Sequence, residues 1–522
     1  MADARRLDRG APLSAPFGEA IAAAYATDGP ALDLGRGVHE GAVAQDAVVR
    51  VPLRMLNRHG LIAGATGTGK TKTLQLMAEQ LSAAGVPVVV ADVKGDVSGL
   101  AAAGDPAGPA AERNAELGLP YEPESFPVEL LSLGGIGPGV PVRATVSDFG
   151  PQLLAKVLGA NETQEQSLAL LFRLADERKL PLVDLTDLRA LLTHLGSKEG
   201  KADLEGLGGV SKATVGVLLR ALVGLEDGGG TELFGEPQLA VGDLLRTAPD
   251  GRGIVSCIEL AAVQEHPALW STALMWLVAE LFEALPEVGD LERPKLVFFL
   301  DEAHLLFDDA TEAFLDAVER TVRLIRSKGV GVFFVTQNPH DLPGAVLGQL
   351  GNRIQHALRA FTPEDAKALK ATVSTFPRSD LYDLETLLTS MGIGEAAVTI
   401  LDDKGVPTPV VHTRLVGPRS RMAPADDVAA AAQASPLWAR YATRADPESA
   451  KEILAGRIEA ATVDAPPPEH VPVPRKEPAG RRRRAPQRAP ADPLDDLLTS
   501  REGKALQRKV LRGVFGMLRK RL

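Results

Sequence analysis

Eight residues, Gly64-Ala65-Thr66-Gly67-Thr68-Gly69-Lys70-Thr71, match the spacing G-x-x-x-x-G-K-[ST] in full. They follow the apolar run "HGLIAG" and open a helical pattern beginning "KTKTLQLM". A glycine-rich backbone can curl until its N–H groups face phosphate oxygens at a helix N-terminus. A lysine at this spacing reaches the β- and γ-phosphates, and the hydroxyl after it can hold Mg²⁺. Gly64 through Thr71, with the adjacent Lys72, are therefore the candidate nucleotide contacts, and Thr71 is a candidate metal ligand. A glycine-rich turn before a helix is the bland alternative, but it has no need of the Lys-Thr pair.

Three more stretches can complete a hydrolytic site. "KLVFFLDEA" (295–303) ends an apolar run on Asp301, a carboxylate able to bind Mg²⁺ directly or through water. Glu302, next along, can orient and deprotonate an attacking water. Such a pair can also cap the following helix, but beside a complete phosphate loop the catalytic role is the stronger one. A carboxylate base also points to hydrolysis rather than to a kinase or a slow switch. "GVGVFFVTQ" (329–337) places Gln337 at the end of the next buried run, where an amide can sense the γ-phosphate or simply cap the strand. "ADVKGD" (91–96) sets Asp92, Lys94 and Asp96 on the edge where open parallel sheets bind ligands, although a salt-bridged loop explains them equally well.

These motifs need elements to hold them in place. "VPVVVAD" (86–92), "GIVSCIEL" (253–260), the two runs ending at Asp301 and Gln337, and "RIQHALRAF" (353–361) are short and apolar, with helical patterns between them. Such alternation predicts an α/β fold with a parallel sheet covered on both faces. A lead-in with one or two strands is expected over 1–50, the core over 51–420 and a helical insertion over about 150–250. The insertion shows amphipathic repeats such as "EQSLALLFRLADERK" with no strand between them. Within 381–420 the turn Asp403-Lys404-Gly405 predicts a hairpin. A helical extension over 421–463, a Pro/Arg-rich linker over 464–493 and a basic amphipathic helix over 494–522 complete the chain. On a helical wheel Arg501, Lys504, Arg508, Arg512 and Arg519 share a face opposite Leu506, Val510, Val514 and Met517.

Bulk properties narrow the classes. The chain has 522 residues, too many for one ordinary core. Its one cysteine, Cys257, excludes an intramolecular disulfide and a thiolate zinc site within the chain. A reducing, cytoplasmic setting is the expectation. The histidines include no HExxH pair, so no metal cage is expected beyond the ion a nucleotide brings. "ALWSTALMWLVAELFEAL" (268–285) carries Glu280 and Glu283 and reads as a buried helix, so no transmembrane segment is expected. Net charge is −11, unevenly spread: residues 475–522 hold 15 Lys or Arg against 5 Asp or Glu, or +10, which leaves −21 on the remainder.

The ordered series "NRHGLIAGATGTGKT", "DVKGD", "FLDEAHLLF", "RSKGVGVFFVTQNPHDLP" and "LGNRIQHALRAFTPED" resembles the HerA/FtsK superfamily of ring-forming motor ATPases. It is nearest to the YjgR-like branch of HerA-like ATPases, and the likeness runs from about residue 55 to 420. The resemblance implies a RecA-like (ASCE) P-loop NTPase core and a hexameric homo-oligomer using ATP and Mg²⁺ at subunit interfaces. It also implies an arginine supplied by a neighbour: Arg326 by its place in the motif, with Arg353 as second candidate. About 50 residues precede the core, too few for the N-terminal β-barrel that docks a nuclease in archaeal-type HerA proteins. Two outlets for the energy stay open, movement of duplex DNA or work on a protein or membrane partner. The acidic body counts mildly against DNA. The basic tail helix could serve DNA or lipid phosphates, or pack on the acidic body itself.

Overall fold

Strands built almost wholly from apolar residues can exist only where both of their faces are covered. The central strands are of this kind, with every residue of "LVFFL" (296–300) and "VGVFFVT" (330–336) buried. The computed structural model describes residues 16–463 except 198–199, 201–208, 290 and 309–311. The expected linker 464–493 and basic helix 494–522 lie outside the described residues.

Twelve strands among the described residues form one sheet. In chain order they are β1 (Ala31–His39), β2 (Ala42–Pro52), β3 (Gly60–Ala63), β4 (Val88–Asp92), β5 (Val128–Leu133) and β6 (Val140–Val142). There follow β7 (Val255–Glu259), β8 (Leu296–Leu300), β9 (Val330–Thr336), β10 (Asn352–His356), β11 (Glu395–Thr399) and β12 (Val411–Leu415). Their order across the sheet is β2-β1-β12-β11-β10-β3-β9-β8-β4-β7-β5-β6. From β10 to β6 all neighbours are parallel, and β11, β12, β1 and β2 extend the sheet antiparallel beyond β10. The strand after the phosphate loop is thus not its neighbour: β9 lies between β3 and β8, the order of RecA-like nucleotide-binding cores.

The apolar runs read from the sequence are β3, β4, β7, β8, β9 and β10. The expected hairpin is β11–β12, whose turn closes with Gly405 N–H donating to the Asp402 carbonyl at 2.8 Å and Gly405 at φ 76°. The lead-in contributes β1 and β2. Strands β5 and β6 went unread because β5, "VELLSL", has Glu129 and Ser132 breaking its apolar run and β6 is only three residues long.

Between β6 and β7 the described residues carry helices and no strand of the sheet. Val146–Val157, Glu162–Arg178, Leu185–Gly196 and Lys212–Leu225 turn their leucines into the core. Asn161 and Asp184 start the second and third of these with reciprocal capping boxes, which locks where each begins. The apolar stretch beginning at Pro267 is a helix, Pro267–Ala284, with both tryptophans (Trp270 and Trp276) buried. It packs on Val146–Val157 and on Glu312–Ile325. No helix among the described residues is long and apolar enough to cross a membrane.

Candidate active site

The strand order brings the motifs together. Along the carboxyl edge of the sheet, β3, β9, β8 and β4 end side by side with register pairs Ala63–Thr336, Leu300–Phe334 and Ala91–Leu300. Neighbouring strands lie about 4.8 Å apart. The phosphate loop, Gln337, Asp301-Glu302 and the Asp92–Asp96 loop therefore leave one edge in that order.

The loop from Gly64 to Gly69 is tied to its neighbours through its backbone. Gly64 N–H donates to Thr336 O at 3.3 Å, Ala65 N–H to Ala357 O at 2.9 Å, and Gly394 N–H to Thr68 O at 3.0 Å. Gly64 has no room for a side chain, since a Cβ there would sit 2.5 Å from His356 Cβ. Gly69, at φ 109°, starts the helix Lys70–Ala83 from a left-handed conformation that other residues rarely adopt. Lys70 is buried, and its ammonium donates to the carbonyls of Gly64 (2.7 Å) and Ala65 (3.3 Å). Burial lowers its pKa, Lys94 lowers it further, and Glu302 and Asp301 oppose the shift.

Asp301 is 5% exposed and accepts the Glu302 N–H at 2.9 Å. Burial lifts its pKa to about 7, against the pull of Lys94. Glu302 stands at φ 46°, ψ 43°, a left-handed position costly for a residue with a Cβ. Its Oε1 pairs with Lys94 Nζ at 3.0 Å, whereas Oε2 is buried and has no hydrogen-bond partner. Burial raises the Glu302 pKa, but bonds and charge from Lys94, the charge of His304 and a bond from the Gln337 side chain outweigh it and hold the carboxyl below its ordinary value. Gln337 is exposed just past β9, close enough to Glu302 to help hold its carboxylate charged.

The other sequence candidates divide. Lys94 joins the site. Asp92 is fully buried and accepts the N–H groups of Gly95 (2.8 Å), Asp96 (3.2 Å) and Val97 (2.7 Å), so it shapes the loop that carries Lys94. The Lys72 ammonium donates to Met422 O at 2.6 Å and Gln75 Oε1 at 3.2 Å. It therefore ties the phosphate-loop helix to the segment after β12. Arg326 lies before β9, and Arg353 is the second residue of β10. Both are at the amino ends of their strands, so the fold does not bring them to the phosphate loop of their own chain. The Arg353 guanidinium donates to Thr375 O at 2.8 Å and Leu350 O at 3.4 Å and lies over the Phe376 ring.

His356 escaped the sequence reading. It is fully buried at the end of β10, its Nε2 lies 2.9 Å from Thr73 Oγ1, and burial drops its pKa to about 4. Its place at the end of an apolar run was the available signal. A cavity of about 760 Å³ opens at the other end of the strands around Leu53, Pro87 and Lys295, away from this chemistry.

A phosphate loop on β3, a strand-end Asp-Glu pair two strands away and a polar residue on the strand between define a RecA-like P-loop ATPase. The model of the family Helicase HerA-like C-terminal matches residues 38–521, and the chain belongs to that family. Among solved structures, the unbound bacterial conjugative coupling protein TrwBΔN70 is similar at 15% identity with a TM-score of 0.50, over 78% of this chain and 94% of that one. The plasmid coupling protein TrwB in complex with ADP and Mg²⁺ is similar at 15% identity with a TM-score of 0.50, over 77% and 97%. At this identity the likeness speaks for the fold. No curated protein matches the chain.

Proposed function

We propose that the chain hydrolyses Mg²⁺·ATP as a subunit of a hexameric ring that moves duplex DNA. One observation carries the hydrolytic part: the phosphate loop, Asp301, Glu302 and Gln337 leave one sheet edge together, with the buried Oε2 of Glu302 unpartnered. A buried carboxylate oxygen without a donor is costly in a finished structural site and apt in one that must receive a proton from water.

In this reading the backbone of Gly64 to Thr71 and the Lys70 ammonium bind the β- and γ-phosphates. Thr71 and Asp301 are the residues that would hold Mg²⁺, which when bound neutralises charge on the phosphates. The donor chemistry of Asp301 fits a hard cation: it is a buried carboxylate that, among the described residues, accepts one hydrogen bond, from the Glu302 N–H. Glu302 takes the proton of the attacking water, and Gln337 links that event to β9. A cavity of about 190 Å³ beside Gly69, lined by Lys72, Thr73, Arg113, Ile393 and Val416 among others, has the place and the apolar walls for the nucleotide base. Arg326 is our choice for the arginine supplied by a neighbouring subunit. Arg353 is the second candidate; its guanidinium donates to the Thr375 carbonyl within the chain.

The DNA part is supported by the family and by the likeness to a coupling protein of plasmid conjugation. Against it stands the excess of −21 on residues 1–474, which favours the second reading, a ring working on a protein or membrane partner. The deciding experiment is ATP turnover with and without linear duplex DNA at low salt, with Lys70→Ala as the blank. Stimulation that grows with DNA length and vanishes in the blank is expected. Turnover indifferent to DNA at every length would end the DNA reading and leave the ATPase.

A further inference from the structure

Lys94 and Glu302 come from loops 208 positions apart in sequence, yet they meet because β4 and β8 are neighbours. The Lys94 ammonium lies 3.0 Å from Oε1 of Glu302. The other oxygen, Oε2, is the one left bare: His304 Nδ1 stands 3.5 Å from it without making a hydrogen bond. The two oxygens of one carboxylate are thus treated differently, one anchored and one kept open.

A role in folding explains this poorly. The loop carrying Lys94 is already held by three backbone N–H groups donating to Asp92. The Lys94 side chain is 44% exposed, so its end of the pair stays solvated and the pair adds little to stability. Its charge is nevertheless aimed into the site, where Asp301, Glu302 and Asp96 all face it and Lys70 is close enough to feel it. Glu302, for its part, is a left-handed residue at the start of the short helix Ala303–Leu306, and its side chain makes no capping bond there. Something must fix the direction of its open oxygen.

We infer that Lys94 is the positioning residue for Glu302: by gripping Oε1 it turns Oε2 toward the water that attacks the γ-phosphate. The inference rests on the reading of Glu302 as the base. It deepens that reading by naming the residue through which the base is aimed. Lys94 does not touch nucleotide in this role; it acts through the carboxylate.

The test is a set of variants, Lys94→Met, Lys94→Arg, Glu302→Gln and the double variant Lys94→Met/Glu302→Gln. Each is assayed as full-length protein for kcat, KM and ADP affinity, with thermal melting as the folding control. Lys94→Met should lower kcat on the order of 10- to 100-fold, the cost of a misaimed group, with KM and ADP affinity within about threefold. Lys94→Arg should regain most of the loss. In the Glu302→Gln background, Lys94→Met should add less than about twofold, because residues acting as one unit are not additive. A full additional loss there, or a change in KM and ADP affinity at constant kcat, would mean that Lys94 binds nucleotide itself and overturns the inference. Unchanged or raised kcat in Lys94→Met overturns it as well. The underlying reading fails separately, by Glu302→Gln keeping wild-type turnover whatever Lys94 does.

Discussion

The loops after β4 and β8 leave neighbouring strands at the same edge, and each begins at a buried aspartate. Asp92 spends its acceptors at once on three backbone N–H groups of its own loop. Asp301 accepts the single N–H of Glu302, and that next residue is thrown into a left-handed conformation with a bare oxygen. Burial raises both carboxyls above the usual range, Asp301 to about 7. One loop is finished as a piece of structure. The other keeps acceptors in reserve and pays with strain and desolvation, as expected where a cation and a reacting water must be received.

Exchanging each aspartate for asparagine tests that contrast most severely. Asp301→Asn should cut ATP turnover on the order of 10³-fold while melting close to the wild type, because it removes a buried charge and costs at most one local bond. Asp92→Asn should destabilise by about 1–3 kcal/mol, since an amide NH₂ would replace one of the oxygens accepting backbone N–H groups. It should keep far more turnover than Asp301→Asn. Steady-state ATPase and urea unfolding on both variants read this out, and a result with the two roles exchanged would dissolve the comparison.

A smaller effect separates the two arginines. Arg353 resembles Asp92: its guanidinium is engaged by Thr375 O and Leu350 O and covers Phe376. Arg326 borders a shallow cavity of about 280 Å³ with Asn57, Gly289 and Ser327, at the end of β9 farthest from Gln337. Arg326→Ala is expected to lower turnover about 100-fold if it reaches the site of an adjacent subunit. Mixing Arg326→Ala with Lys70→Ala subunits should then restore part of it, since each supplies what the other lacks. Arg353→Ala should cost stability and leave turnover of the folded fraction intact. Mixtures that stay inactive would remove Arg326 from the proposed role.

Much of this was legible because the signals were local. The phosphate loop is eight consecutive residues, the buried strands are unbroken apolar runs, and the β11–β12 turn is announced by Asp403-Lys404-Gly405. Chain order also placed Asp301 and Gln337 at strand ends. What could not be read depends on which strands become neighbours. Lys94 reaches Glu302 only because β4 pairs with β8, and β1 joins β12 across almost the whole chain. Neither pairing leaves a trace in residue spacing. Lys72 is the sharpest case. Its place after Thr71 suggests nucleotide, and nothing in that spacing announces that the packing of residues 419–422 along the phosphate-loop helix also gives its ammonium the Met422 carbonyl.

The same packing supplies the smallest effect, at a third buried carboxylate. Glu79, on the phosphate-loop helix, is 1% exposed and accepts Arg419 N–H, Ser420 N–H and the Ser420 hydroxyl. Like Asp92 it is saturated, yet burial still outweighs those bonds and raises its pKa from 4.5 to about 7. The folded chain therefore binds more protons than the unfolded one between these values. Stability from this group is full below the unfolded pKa and is lost as pH rises through the folded one, by at most about 1.4 kcal/mol per pH unit. Glu259 and Asp301, also raised to about 7, contribute with the same sign. Glu79→Gln should remove only one share of the slope, while its amide oxygen still accepts from the 419–420 backbone. Urea unfolding of wild type and Glu79→Gln from about pH 5 to about pH 8 should give curves that converge at the acid end and separate toward neutral pH, the variant being the more stable there. Curves that stay parallel would show that hydrogen bonding, not burial, governs Glu79, and saturation alone would then be enough to keep a buried carboxylate charged.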